Sequence, residues 1–170
     1  MSWITPFDGK TPQVHPDAYL DISARLIGDV AIDRDASIWP MAVLRADCEP
    51  IRVGRGAAIL DLALLETPQG RPIYIAEDAL VSHGAMVHGA RVETGALVGI
   101  GAIVLDGATV GAGSIIGAGS VVSPGTQVPP NSLVLGVPGR IIRETTAQER
   151  QNVMDQLADL HRKSRRLMGR

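Results

Sequence analysis

The chain has 170 residues, enough for one ordinary domain whose core needs neither disulfide nor metal to hold it. Its 16 basic and 18 acidic side chains nearly cancel, which argues against nucleic acid or an anionic membrane as partner. One cysteine, Cys48, can make neither an internal disulfide nor a thiolate cluster, a usage that fits a reducing compartment.

In chain order, the N-terminal segment MSWITPFDGKTPQVHP has no basic flank followed by an apolar run. No uninterrupted apolar stretch anywhere reaches the roughly 18 residues that span a bilayer, so a soluble, cytoplasmic protein is expected. From Val14 onward aliphatic residues recur every six positions, at Leu20, Leu26, Ile32, Ile38 and Leu44, then at Val53, Ile59 and Leu65. The segment Thr67-Pro68-Gln69-Gly70-Arg71-Pro72 breaks the pattern with residues that cannot continue a ladder, and an outward loop is expected there, able to border a site. The period resumes at Ile75, Val81 and Val87, drops one residue, and runs from Val92 through Val98, Val104, Val110, Ile116 and Val122 to Val128.

A helix cannot hold such a pattern on one face, because six residues advance about 600° around a 3.6-residue turn. Flat hairpin strands fail as well, since glycine-bearing turns fall between successive hexads. What remains is an all-β solenoid of three short strands per coil of about 18 residues, with aliphatic side chains stacked inside and small ones at tight corners. The composition agrees, at 45% hydrophobic but only 3% aromatic, with 19 glycines and 11 prolines. Leu135-Gly-Val-Pro-Gly139 ends the regular coil, which gives a β-helix over residues 1–140 and a C-terminal segment over 141–170. Thr146 with Glu149 three residues later forms a capping-box pattern, and Val153, Leu157 and Leu160 make an apolar helix stripe for the solenoid or a neighbouring subunit. The basic run 161–166 is read as cations at a helix C-terminus rather than an anion site.

The polar residues that interrupt the pattern carry the candidate chemistry. They are Arg45 and Asp47, Asp61 and Glu66 within Ala58-Ile-Leu-Asp-Leu-Ala-Leu-Leu-Glu66, His83 and His88 within Val81–Gly89, and the segment Val98–Gly107. Taken alone, two histidines five apart are consistent with a metal site or with ordinary solvent-facing hydrogen bonds.

In order and spacing these segments resemble the γ-class carbonic anhydrase family of hexapeptide-repeat proteins, and the likeness runs from Val14 into the C-terminal helix. The resemblance implies a left-handed parallel β-helix and a homotrimer. It also implies zinc, or iron or cobalt, held between subunits by three histidines, with water activated for attack on carbon dioxide to give bicarbonate. Carried over by position, His83 and His88 are metal ligands contributed from the two sides of an interface. Arg45 and Asp47 form an ion pair across that interface, and Asp61 supports the site by hydrogen bonding. Two positions depart from the family pattern: the first histidine ligand is Glu66, and the glutamine expected beside the reacting oxygen is Leu60. Two histidines and one carboxylate can still hold zinc, but an anionic ligand should raise the pKa of activated water above the roughly 7 of a three-histidine site. Hydration of carbon dioxide is therefore expected to be weak or absent. Two other classes stay open: a coenzyme A-dependent acyltransferase using His83 or His88 as general base, and a non-catalytic trimer that binds a metal or small ligand.

Overall fold

A computed structural model describes residues 3–170. Successive short strands pair in parallel with those one coil away, so that residues stack in vertical columns. Leu26, Leu44, Leu65, Val87, Val104 and Val122 form one inward column. Ile32, Val53, Ile75, Val92, Val110 and Val128 form the second. Leu20, Ile38, Ile59, Val81, Val98, Ile116 and Val134 form the third. Three columns line three faces of a prism of about seven coils, and every residue of these columns but the half-buried Leu20 is buried. Alanines at the corners, among them Ala24, Ala42, Ala63, Ala85 and Ala102, are wholly buried because the prism narrows there and a larger side chain has no room.

The first and second faces merge into one 12-stranded sheet, because strands Arg25–Ile32 and Val43–Val53 run across the corner between them. Gly28 makes that crossing possible: its φ is 76°, and a Cβ there would stand 2.2 Å from the carbonyl oxygen of Ala46. The third face is a separate sheet of eight strands, closed by Arg140–Glu144, which turns back antiparallel onto Ser132–Leu135. The expected division at 140/141 thus falls inside a strand, since the chain makes one more ladder pairing before it leaves the sheet.

The helix Ala147–Leu167 begins with the expected capping box. Thr146 Oγ1 accepts from the Glu149 N–H at 3.1 Å, and Glu149 Oε2 accepts from the Thr146 N–H at 2.8 Å. Val153, Leu157 and Leu160 pack on Ala58, Leu60 and Leu80 of the third face, beside Trp39, Leu97 and Ile115. His161 Nε2 hydrogen-bonds the Gly56 carbonyl at 2.8 Å, fastening the far end. The basic run is consumed locally: Arg162 and Lys163 pair with Asp159, and Arg165 with Asp35. No helix among the described residues is long and apolar enough to cross a membrane.

Two outcomes follow. Leu157→Ala, which empties the centre of the helix–sheet contact, should lower stability by about 2–5 kcal/mol in denaturant unfolding. The Arg143 guanidinium, followed by the Thr146 backbone N–H, holds the Glu149 carboxyl down at about 2 against an ordinary 4.5. A depressed folded-state value stabilises above the unfolded value and loses that effect as pH falls through the folded one. The melting-temperature gap between the native chain and Glu149→Gln should therefore be constant above roughly pH 5 and close as pH approaches about 2.

Candidate metal centre

The parallel register decides which polar side chains meet. Arg45 lies opposite Glu66, and Glu66 opposite His88, on three successive coils at the end of the first face. The Glu66 carboxylate reaches both neighbours: Oε1 accepts from Arg45 Nη2, and Oε2 stands 3.4 Å from His88 Nε2. Asp106, 18 residues and one coil beyond His88, takes the other ring nitrogen, its Oδ1 in contact with His88 Nδ1. Asp47 completes the row, 3.3 Å from Arg45 Nε. The Arg45–Asp47 pair, expected across an interface, is thus formed within one chain, because residues two apart on the outward side of one strand are neighbours. Glu66, and after it Asp47, raises the Arg45 guanidinium pKa further above its already high ordinary value.

The Asp106 contact at Nδ1 fixes the orientation of the His88 ring and leaves Nε2 facing the Glu66 carboxylate. The His88 side chain is 26% exposed and that of Glu66 25%, so the pair is sheltered yet reachable from solvent. One guanidinium stands against three carboxylates here, so the corner is acidic apart from the imidazole itself.

His83 lies elsewhere in the same chain. It sits in the turn before strand Met86–His88, while His88 is that strand's last residue, and an extended run of roughly 3.3 Å per residue keeps the two rings at opposite corners. There His83 Nδ1 meets Asp61 Oδ2 at 3.1 Å. Among the described residues no single-chain group of three or more histidine, cysteine or carboxylate side chains is arranged to hold a metal. Leu60 adjoins Asp61 in sequence but is 1% exposed, packed under the C-terminal helix with Ala58 and Leu80. Its apolar side chain belongs to that contact, where an amide would be buried.

Between the two corners the first face turns Val43, Leu64, Met86, Ile103 and Val121 outward, half-buried and in register. At the His83 corner, Ile22, Met41, Leu62 and Ile100 are 59–68% exposed. The result is an apolar surface bordered on one side by Glu66 and His88 and on the other by Asp61 and His83. Sequence reasoning missed Asp106, although its spacing of one 18-residue coil from His88 was the signal for it.

No protein-family model matches the chain. It is 46% identical over 132 residues to a probable carbonic anhydrase of Methanocaldococcus jannaschii, covering 78% of this chain and 83% of that one. It is 40% identical over 146 residues to a carbonic anhydrase of Geobacillus kaustophilus, covering 86% and 80%. The crystal structure of a hexapeptide transferase family protein from Anaplasma phagocytophilum superposes with a TM-score of 0.91 at 33% identity, over 95% of this chain and 96% of that one. The shared architecture is the left-handed parallel β-helix.

Proposed function

Because the chain belongs to the γ-class carbonic anhydrase-like family of hexapeptide-repeat proteins, we propose that it is a homotrimeric, divalent-metal-binding protein. Its site would take Glu66 and His88 from one copy and His83 from the next. The observation that supports this is the layout of the first face, with Glu66 and His88 at one border, His83 and Asp61 at the other, and apolar side chains between. A three-fold arrangement that buries this surface sets unlike borders of adjacent copies against each other, so each His83 approaches a neighbour's Glu66–His88 pair.

The donors fit such an ion. Two histidines and a carboxylate with an open fourth position are a familiar zinc set, and zinc is the proposed cation, with iron or cobalt as substitutes. When bound, the cation supplies the Lewis acidity that makes water nucleophilic near neutral pH. The chain's own groups do the rest. Asp106 holds the His88 tautomer, Arg45 steadies Glu66 and offsets part of its charge, Asp47 orients Arg45, and Asp61 holds His83. The reaction is reversible hydration of carbon dioxide in the cytoplasm. It is slowed because Glu66 adds negative charge where the family has a neutral histidine. Transfer of an acyl group from coenzyme A is the second reading; the Anaplasma relative's name, hexapeptide transferase family protein, supports group transfer without naming the group. Acetyl-coenzyme A binding by a protein purified without metal would replace the first reading with it.

Elemental analysis of protein purified without chelator should find roughly one equivalent of divalent metal per chain. His88→Ala and His83→Ala should each abolish it, and Asp106→Asn should weaken it about 10–100-fold. Full retention by a trimeric His83→Ala protein would remove the shared site, and a monomer by light scattering would remove the assembly. Hydration by the metal-loaded protein should be slow, and Glu66→His should raise it; robust turnover by the unaltered protein would overturn the effect assigned to Glu66.

A further inference from the structure

The loop 67–72 leaves the solenoid directly after Glu66 and is tied down at both ends. Thr67 is fully buried, donating to the Glu49 carbonyl at 2.8 Å and accepting from the Glu49 N–H at 3.2 Å. The Glu49 carboxylate accepts from the Gly70 N–H at 2.9 Å. The loop thereby lays Arg71 across Gly89 and Gly107, the residues that directly follow His88 and Asp106. A Cβ on Gly89 would stand 2.6 Å from Arg71 Cβ, and one on Gly107 would stand 2.9 Å from Arg71 Nη1. Both positions have positive φ, so glycine suits the corner and leaves space for the guanidinium.

A second cation lines the same cavity. Arg91 stacks on Tyr74, its Cζ 4.6 Å from the ring centroid, and gives only Nε to Glu93, at 3.3 Å. Arg71, Tyr74 and Arg91 line an open cavity of about 200 Å³ floored by Gly89 and Gly107. Most cationic side chains of the solenoid are matched to a carboxylate, as Arg45 is to Glu66, Arg52 to Asp29 and Arg55 to Glu77. Arg71 has no carboxylate partner among the described residues. In a chain whose net charge is −2, an unpaired guanidinium sharing a cavity with a stacked one marks a local preference for anions rather than a bulk field.

We infer that this cavity binds an oxyanion group, carboxylate or phosphate, of a small-molecule substrate, gripping it between Arg71 and Arg91. Guanidinium forks match planar or tetrahedral oxyanions, and the stack on Tyr74 holds the Arg91 plane in advance of binding. The cavity begins one residue past His88, so an anchored molecule can extend a second, reacting group to the Glu66–His88 corner. That extension rests on the metal-site reading above; the anion grip does not. Carbon dioxide has no group for these arginines, so the anion they hold is a second, larger substrate that the site takes in addition to carbon dioxide.

Calorimetric titration with inorganic phosphate and with succinate tests this on the intact protein. Saturable binding of at least one anion is expected, weakened roughly tenfold or more in both Arg71→Gln and Arg91→Gln, as for loss of a charge-assisted hydrogen bond. Binding should be unchanged in Arg55→Gln, which removes a guanidinium paired with Glu77 outside the cavity. Preference for phosphate or for succinate identifies which oxyanion the substrate carries. Arginine-dependent binding in a protein that holds no metal would keep the anion site and discard the metal reading. The inference is overturned by no saturable binding of either anion, by binding indifferent to both arginine substitutions, or by an equal loss in Arg55→Gln, which would make the effect one of overall charge.

Discussion

Everything in this molecule depends on the stacking of coils in register. Parallel strands in a sheet lie about 4.8 Å apart, so a residue and its equivalent one coil away are held at side-chain contact distance along the whole prism. Inside, that constraint makes columns of leucine, isoleucine and valine, and the hydrophobic gain along them holds the three faces together. Outside, the same constraint makes rows of polar groups. Arg45, Glu66 and His88 are neighbours for the reason that Leu44, Leu65 and Val87 are: each set occupies equivalent positions near one corner, coil after coil, and Asp106 joins them from the turn after Val104. A solenoid thus builds a polar site from residues far apart in sequence without any loop having to bring them together.

The same logic explains what could be read from the sequence. The six-residue recurrence from Val14 to Val128 carried the fold, because every inward position repeats and small corner residues punctuate it. Thr146 and Glu149 carried the start of the helix, because a capping box is a local interaction. Other features depend on which face a residue adorns, and periodicity is silent on that. Leu60 reads as a missing polar hand, yet its place is under the C-terminal helix, a contact that no local pattern announces. The two strands that run across the first corner are longer than a hexad allows, since Gly28 lets the chain bend without breaking the ladder. Asp106 needed the coil length to be applied to His88 as a ruler. Loop 67–72 was legible as a departure, but that Arg71 lies back over Gly89 and Gly107 follows from the Thr67 and Glu49 anchors, which are tertiary.

The exchange of a histidine for Glu66 is the chemical centre of the problem, and its surroundings argue that it is more than a lost ligand. A carboxylate left alone beside Asp47 and Asp106 would add to a cluster of like charge. Here Arg45 sits on one of its oxygens and Asp47 on the far side of Arg45, so the corner is an alternating row of charges that ends in His88 and Asp106. Such a row holds Glu66 by a charge-assisted hydrogen bond and leaves its second oxygen toward His88 Nε2, which is the arrangement a cation-binding carboxylate requires. The departure from a three-histidine set therefore changes the charge of the site while preserving its directionality. On the proposed reading, an extra negative charge would favour retention of a cation and disfavour strong activation of water. Two arginines just beyond it then make sense as the element that draws an anionic molecule past an acidic corner that would otherwise repel it.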